Sequence, residues 1–237
     1  MTFPLYWRDQ QTMSWSATVV ESGPDAVVLD DSAFYPGGGG QPADAGVLEW
    51  DGVFTRIGGV DGAGALVPIA GDPVPPAGTA IVGRLDDARR RSLMRTHSAL
   101  HVVCGVVYRD FGALVTGSSM EPLTGRMDFN LPDVPDGFKA DLERTVNEEI
   151  ALDRAITARV VSRDVALADS DVMRTAKHLI PASVEQVRII DVEGLDAQAD
   201  AGTHVASTRQ IGAVSIAKVE SKGKGFRRVR LVLPTGD

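Results

Sequence analysis

The sequence predicts an α+β protein in which a small N-terminal antiparallel β-barrel precedes a second domain with helices packed on an antiparallel sheet. Two observations carry this prediction. Residues 1–85 contain short β-prone segments that Gly and Pro interrupt at close intervals. After Asp86 no Gly or Pro occurs until Gly105, which indicates a long helix with acidic residues at its start. We therefore expect one domain at 1–85 and another at 86–237.

The expected elements follow the positions of apolar and turn-forming residues. In the first domain, strands are expected around residues 15–21, 26–29, 46–60 and 79–85. In the second, helices are expected from residue 86, over 137–153 and over 165–178, and strands over 184–191, 213–220 and 228–233. In the helix at 137–153, Leu142, Val146 and Ile150 recur every four residues and form an apolar face.

The composition is that of a globular protein with a sizeable core. Hydrophobic residues make up 43% of the 237, and no apolar run approaches the ~18–20 residues that a membrane span needs. The first ten residues lack a basic start followed by an apolar stretch, so we expect no export signal. The single cysteine, Cys104, excludes an internal disulfide. We therefore expect a cytoplasmic protein with no membrane partner.

The negative charge is concentrated in the first domain. The formal net charge is −8, and residues 1–85 hold three basic residues against ten acidic ones, whereas the remainder is nearly neutral. Phosphate binding needs clustered positive charge, so the overall balance argues against a general nucleic-acid coat and against DNA as a partner. Any polyanion should contact the second half of the chain. Its basic clusters are residues 89–91, Arg95 and residues 222–228.

Three of the four histidines fall in two short motifs. His97 and His101 are four residues apart in the predicted helix, so both imidazoles project from one face and can reach a single metal ion. Asp200 and His204 form a second pair with the same spacing. No glutamate follows His97, which argues against a zinc peptidase of the HExxH type. Cys104 shares the histidine face and is interpreted as a small core residue rather than a ligand.

The second conspicuous feature is a glycine-rich segment near the middle of the first domain. It contains Gly37, Gly38, Gly39, Gly40, Gln41 and Asp44. Successive glycines permit positive φ and a close approach of the backbone to a ligand or a neighbour. No Lys-Ser/Thr follows, so the segment is not a phosphate loop. A strand-to-strand turn and a substrate contact both remain open interpretations.

A third segment places small hydroxyl residues around a glycine before an expected strand. Thr116, Gly117 and Ser118 lie here. They are candidates for recognising a small polar substrate, with turn residues as the alternative.

In their order along the chain, these motifs resemble the editing module of alanyl-tRNA synthetase and, more closely, its free-standing relatives, the AlaX proteins of the medium type. The segments that carry the resemblance are FYPGGGGQPADAG, RTHSALH, TGSSM with GRMDF, VRIIDVEGLDAQADAGTHV and IGAVSIAKVESKGKGFRRVRLVL. The resemblance covers nearly the whole chain. It implies an aminoacyl-tRNA deacylase that removes serine or glycine from mischarged alanine tRNA. Residues 1–237 contain no aminoacylation domain, so we expect the chain to act in trans.

The resemblance also implies which residues form the site. His97 and His101 match the first zinc-ligand pair and His204 the last ligand, which leaves Asp200 at the position of the family's cysteine. Ala201 stands at the first glycine of the family's Cys-Gly-Gly-Thr-His. A carboxylate is an acceptable zinc ligand with the formal charge of a thiolate. We therefore expect one zinc ion per chain.

The remaining site residues are assigned as follows. Thr116, Ser118 and Thr203 are expected to bind the substrate, with Thr116 at the pocket wall that senses a serine hydroxyl. We expect zinc to orient the substrate, and a water placed by backbone groups near Gly117 and Gly202 to attack the ester. The expected tRNA contacts are Arg95, Lys222, Lys224, Arg227 and Arg228.

Two alternatives stay open at this point. One is a metal-dependent hydrolase of another aminoacyl-tRNA or small ester. The other is a non-catalytic RNA-binding relative whose metal site has degenerated. The aspartate at position 200, where the family has cysteine, leaves this alternative open.

Overall fold

The computed structural model describes residues 3–168, 172 and 183–235, and the chain divides into two compact units, Met1–Ser92 and Leu93–Asp237. The division falls inside one long helix, α2 (Asp87–Phe111), a few residues after the 85/86 boundary expected from the sequence. No described helix combines the length and the apolar character that crossing a membrane requires.

Six antiparallel strands close into a barrel in the first unit, as predicted. The elements of this unit are α1 (Leu5–Arg8), β1 (Ser14–Gly23), β2 (Ala26–Leu29), β3 (Gly46–Trp50), β4 (Val53–Val60), β5 (Leu66–Pro68) and β6 (Ala80–Leu85). The strand order in the barrel is β1-β2-β5-β4-β3-β6, and β6 pairs back to β1. The expected strand at 46–60 is a hairpin of β3 and β4, because Asp51 and Gly52 form its turn with positive φ.

The barrel interior is apolar and closely packed. Trp15 lies over Gly83 of the neighbouring strand, where a Cβ atom would come within 2.5 Å of the indole ring. Glycine therefore makes room for the largest side chain of the core. The other buried members are Val19, Val27, Ala33, Phe34, Leu48, Ile57, Leu66, Ile81 and Leu85.

The second unit combines helices with two antiparallel sheets. Besides most of α2, the elements are β7 (Val115–Glu121), β8 (Thr124–Phe129), α3 (Phe138–Ala151), β9 (Ile156–Ser162), α4 (Arg163–Ala168), β10 (Gln186–Val192), β11 (Asp196–Ala199), β12 (Ser215–Ser221) and β13 (Arg227–Val232). One sheet has the strand order β12-β13-β8-β7 and the other β11-β10-β9. The expected helix at 165–178 corresponds to α4 up to Ala168, and residues 169–171 and 173–178 lie outside the described residues.

Helices α2 and α3 pack on the four-stranded sheet, as the sequence predicted. Leu100 of α2 fits against Gly125 of β8, where a Cβ atom would lie 3.1 Å from its side chain. In α3, Asn147 exchanges two hydrogen bonds with the backbone of Val214, just before the edge strand β12. The predicted apolar stripe of α3, Leu142, Val146 and Ile150, is buried.

Candidate metal centre

Four potential metal ligands from two distant parts of the chain meet in the second unit. His97 and His101 project from one face of α2, and Asp200 and His204 lie in the loop that follows β11. One donor atom of each lies within 4.8 Å of the others. The three histidines are at most 4% exposed, so their imidazoles are shielded from water.

The carboxylate of Asp200 lies at the centre of this cluster. The Nε2 atom of His97 is 3.2 Å from one carboxylate oxygen, and that of His101 is 3.9 Å from the same oxygen. The Nε2 atom of His204 is 3.4 Å from the other oxygen. All three rings therefore direct the same nitrogen toward the carboxylate.

The opposite ring nitrogens are held by neighbouring side chains. The Nδ1 atom of His101 lies 3.0 Å from Oδ2 of Asp196, which is buried at the start of β11. The Nδ1 atom of His204 lies 3.2 Å from the hydroxyl of Ser98, and that hydroxyl also accepts a hydrogen bond from the N–H of Val205. These contacts orient two of the three rings from behind.

Strand β10 fixes the loop that carries Asp200 and His204. The N–H of Asp200 donates to the carbonyl of Arg188, and Nη1 of Arg188 donates back to the carbonyl of Gly202 at 2.6 Å. The N–H of Gly202 donates to Oδ1 of Asp200 at 2.5 Å. The φ angle of Ala201 is not positive, so the loop does not require a glycine at that position.

Burial and charge set the protonation of the metal-free cluster. Burial disfavours a charged imidazole, but hydrogen bonds to Asp196 and Asp200 outweigh it and raise the pKa of His101 to about 9. Burial opposes ionisation of Asp200 as well, yet electrostatic attraction to His97 and hydrogen bonds from the imidazoles lower its pKa well below the usual value. Burial, followed by the charge of His97, lowers the pKa of His204 far below its usual value.

This donor set fits a divalent metal ion. Three imidazoles and one carboxylate are ligands that zinc and similar dications accept, and adjacent ligands of a tetrahedral zinc lie ~3.4 Å apart. The Nε2–carboxylate distances of 3.2, 3.4 and 3.9 Å bracket that spacing. A carboxylate binds a metal when it is ionised and an imidazole when it is neutral, and the lowered pKa values of Asp200 and His204 favour these forms. His101 has a raised pKa, so a metal would displace its proton.

The predicted substrate-binding segment is a strand rather than a turn. Thr116 is the extra residue of a β-bulge in β7 and is exposed, while Gly117 and Ser118 pair with β8 and are half-buried. Bulges frequently redirect a side chain beside a functional site. Thr203 is fully buried within the ligand loop.

The predicted tRNA-binding residues have different surroundings. Arg95 donates to the backbone carbonyls of Ile211 and Pro234, so its guanidinium serves to hold the C-terminal segment. Lys222 and Lys224 are exposed between β12 and β13. Arg228 forms an ion pair with Asp128. Arg227 precedes Arg228 in the strand, is half-buried and pairs with Phe129. Its side chain therefore lies on the face of the sheet opposite to that of Arg228.

The glycine-rich segment of the first unit is a tight hairpin. The N–H groups of Gly38 and Gln41 each donate to the other's carbonyl, and Gly39 and Gly40 between them have φ values of 57° and 94°. Glycine is required there because both central residues need positive φ. Gly37 also has positive φ, at 87°.

Asp44 and Arg90 anchor this hairpin. Asp44 accepts the N–H of Tyr35, and its carboxylate is 2.6 Å from the guanidinium of Arg90, a residue with no exposed surface. Arg90 also donates to the carbonyls of Gln10 and Ala33. The expectation that the whole basic cluster 89–91 is available to a polyanion is therefore wrong, because its central side chain is buried and paired.

Sequence reasoning missed the residues that support the ligands. Asp196, Ser98 and Arg188 contact the ligands or their loop, but none shows a recognisable spacing. The one available indication was Arg188, a charged residue flanked by Val187 and Ile189 in β10. Its side chain is 2% exposed.

Comparisons with known proteins include the part of the chain that carries Asp200 and His204. The family described as "Threonyl and Alanyl tRNA synthetase second additional domain" matches residues 187–230, which include Asp196, Asp200 and His204. Over nearly its whole length the chain is similar to the alanyl-tRNA editing protein AlaX-M of Saccharolobus solfataricus. The two are 34% identical over 233 residues, which cover 97% of this chain and 98% of the relative. This chain belongs to the AlaX-M family of alanyl-tRNA editing proteins.

Another member and a longer relative agree with this membership. AlaX-M of Methanosarcina barkeri is 34% identical over 241 residues, covering 98% of this chain and 99% of the relative. The alanine–tRNA ligase of Pyrobaculum neutrophilum is 34% identical over 245 residues, which cover 99% of this chain and 27% of the ligase. The resemblance predicted from the sequence is confirmed.

Proposed function

We propose that this protein is a metal-dependent hydrolase that acts in trans and removes serine, glycine or both from mischarged alanine tRNA. The observation that carries the proposal is the convergence of three imidazoles and a carboxylate at a buried site. The AlaX-M relatives are named as alanyl-tRNA editing proteins, which gives the substrate class.

Zinc is the metal we propose, with one ion per chain held by His97, His101, Asp200 and His204. Nitrogen and oxygen donors from four side chains are typical of zinc, whereas calcium and magnesium prefer oxygen donors. When bound, zinc would supply a Lewis-acidic charge that holds and polarises the esterified amino acid.

The chain's own residues would then bind the ester and admit water. Thr116 and Ser118 on β7 offer hydroxyls for the amino-acid side chain, whereas Thr203, also expected to bind the substrate, has no exposed surface. Water attacks the ester carbonyl, the bond to the ribose oxygen breaks, and the products are a free amino acid and tRNA with its terminal hydroxyl restored. The N–H of Gly202 is already donated to Asp200, so we assign the placing of this water to the backbone at the bulge beside Gly117.

We propose that the tRNA body contacts a surface that we call the basic face, formed by Arg126, Lys218, Arg228 and Arg230. Strand pairing places Arg126 opposite Arg230, and Arg230 opposite Lys218, which puts three cations in one row across β8, β13 and β12. Sequence clustering alone identified only Arg228 of these four. The opposite side of the same sheet is buried, with Met127, Val229 and Leu231.

The basic face keeps an excess of positive charge. Asp128 and Glu220 are its carboxylates, and each is shared by two of the four cations. Hydrogen bonds from Arg230 and Lys218 lower the pKa of Glu220 to about 2, and a hydrogen bond from Arg228 lowers that of Asp128. Lys222 and Lys224 add two exposed cations at the adjoining hairpin. Such a surface suits a phosphate backbone.

The experiment that tests the function is hydrolysis of Ser-tRNA(Ala) and Gly-tRNA(Ala) by the purified protein, with correctly charged Ala-tRNA(Ala) as the control. We expect turnover of at least one mischarged substrate, its loss after chelation, and its recovery on adding zinc. The His97→Ala/His101→Ala variant should be inactive and should lose its zinc in elemental analysis. A panel that includes mischarged threonine tRNA would reveal another substrate, and a chelator-resistant activity would contradict the metal-dependent mechanism.

A further inference from the structure

We infer that Asp196 is a positioning residue that presents His101 to the metal, and that Gly105 makes this contact possible by admitting the β10–β11 turn to the surface of α2. The inference rests on the proposed metal site. Asp196 is 3% exposed, and its Oδ2 atom lies 3.0 Å from Nδ1 of His101.

The carboxylate of Asp196 is itself held in place. Asp196 pairs with Val192 at the end of the hairpin, and the N–H of Leu195 donates to the carbonyl of Val192 within the turn. The side-chain amide of Gln198 donates to the same Oδ2 atom at 2.7 Å. The hydrogen-bond acceptor for His101 is therefore fixed by both the backbone and a second side chain.

Gly105 lies one helical turn after His101. A Cβ atom on it would be 2.7 Å from the Leu195 side chain, 3.0 Å from the Leu195 carbonyl oxygen and 3.1 Å from Cβ of Asp196. Two of these three neighbours lie on or next to the backbone, so a rotamer change cannot relieve the overlap. Glycine in a helix interior costs about 0.5–1 kcal/mol relative to alanine, and here it permits the close approach of helix and turn.

The contact selects one form of the His101 ring. A neutral imidazole carries its proton on one nitrogen only, and a carboxylate beside Nδ1 keeps the proton there. In this neutral form, which metal binding requires, the lone pair of Nε2 faces the cluster, and Nε2 is 3.9 Å from a carboxylate oxygen of Asp200. Without Asp196, no carboxylate beside Nδ1 opposes the tautomer with its proton on Nε2, which would block coordination.

The first test measures zinc affinity against a competing chelator. Asp196→Ala should bind zinc about 10- to 100-fold more weakly than the parent, the usual effect of losing such an outer carboxylate. The matched control is Glu149→Gln, which removes the charge of another buried carboxylate that pairs with Arg109 and Arg154 and touches no ligand. Its zinc affinity should equal that of the parent.

Gly105→Ala extends the test, because it removes no hydrogen-bonding or metal-binding atom. It should nevertheless weaken zinc binding, since the added Cβ atom would push the turn with Asp196 away from α2. The double variant Gly105→Ala/Asp196→Ala should lose no more affinity than Asp196→Ala alone, since both act through one contact. Nitrogen-15 NMR of the zinc-loaded parent should show His101 protonated at Nδ1 and slow to exchange, and Asp196→Ala should lose that signal.

A folded Asp196→Ala that binds zinc within about threefold of the parent would overturn the positioning role, and so would additive losses in the double variant. A parent that binds no divalent metal would instead overturn the proposed metal site and this inference with it. Comparing parent and variant therefore distinguishes the two failures.

Discussion

Arg188 and Gly202 are joined by a 2.6 Å hydrogen bond from a buried guanidinium to a backbone carbonyl, in the loop that carries two of the four metal-ligand candidates. The N–H of Asp200 donates to the backbone of the same arginine. The position of this loop is consequently set by β10 before any ion binds.

The first prediction concerns this bond. Arg188→Met keeps much of the apolar stem but removes the donor, and leaves the Gly202 carbonyl with an unmet hydrogen bond in a buried position. We expect the free energy of unfolding to fall by about 1–3 kcal/mol and zinc affinity to fall with it. Urea unfolding and chelator competition measure the two effects. Arg209→Met, at an exposed ion pair with Asp153, is the control and should change neither.

The second prediction concerns Asp200, which stands where relatives of this type are expected to have cysteine. Asp200→Ala should weaken zinc binding, while Asp200→Cys should retain or strengthen it because zinc binds thiolate well. Competition with a chelator of known affinity measures both. If Asp200→Ala binds zinc as the parent does, the ligand set is three histidines with a position open to water.

The third prediction is a proton released on metal binding. His101 of the metal-free protein has a pKa of about 9, so at pH 7 it carries a proton that a metal must displace. We expect at least one proton released per zinc at pH 7, and an affinity that weakens roughly tenfold or more for each pH unit below 9. Calorimetry in two buffers with different ionisation enthalpies gives the proton count, and a count of zero would contradict the prediction.

The same group should make the stability of the metal-free protein depend on pH. Its folded pKa lies above its unfolded value of 6.5, so the stabilisation is complete below about pH 6.5 and is lost as the pH rises through about 9. Zinc-loaded protein should lack this pH dependence, because a metal-bound His101 carries no proton to lose. Urea unfolding of both forms at pH 6.5 and 9 measures the difference, and equal pH dependence of the two forms would argue against a shared site.

The fourth prediction concerns substrate choice at the bulge of β7. Thr116→Val keeps the shape and removes the hydroxyl, so a serine hydroxyl loses its partner at a cost of about 1–3 kcal/mol, or roughly 5- to 150-fold in rate. Gly-tRNA(Ala) is the internal control, because glycine has no hydroxyl to lose. Equal rates for serine removal by parent and variant would leave Thr116 as a structural bulge residue.

The fifth prediction concerns the basic face. Lys218→Ala/Arg230→Ala should weaken binding of uncharged alanine tRNA and reduce the dependence of log affinity on log salt by about 0.7–0.9 per lost phosphate contact. The control is Arg144→Ala/Arg209→Ala, which also removes two exposed, paired cations. Hydrolysis of a short aminoacylated fragment should be unchanged in both. Equal tRNA affinities of the test and control variants would place the RNA surface elsewhere.

Local sequence patterns predicted which four residues form the cluster of ligand candidates, but not the residues that support them. His97 and His101 could be paired because the period of a helix is known, and one helix face needs no tertiary information. Asp196 and Arg188 act across strand pairings and a helix–turn contact, which spacing along the chain does not encode. Their roles became visible only with the register of β10 and β11.

The elements show the same contrast. The barrel strands other than the three-residue β5 could be predicted, because Gly and Pro mark their ends. Strand β7 was not expected, since the bulge at Thr116 breaks the alternation of a strand. The helix α2 continues through Gly105 to Phe111, because the glycine that usually weakens a helix is here the contact point for a turn.

The buried pair of Arg90 and Asp44 bears on how this protein can be divided for experiments. A fragment that starts at residue 86 would retain the guanidinium but discard Asp44 and the carbonyls of Gln10 and Ala33, all of its described partners. In that fragment the guanidinium would face water, and the first turn of α2 would lose the contacts that anchor it. In the whole chain, removing Asp44 alone would instead leave a buried charge without its partner, at a cost of about 3–5 kcal/mol. The opening turn of α2 is thus chemically part of the barrel. A fragment meant to isolate the barrel should extend to Ser92, so that Arg90 stays paired with Asp44.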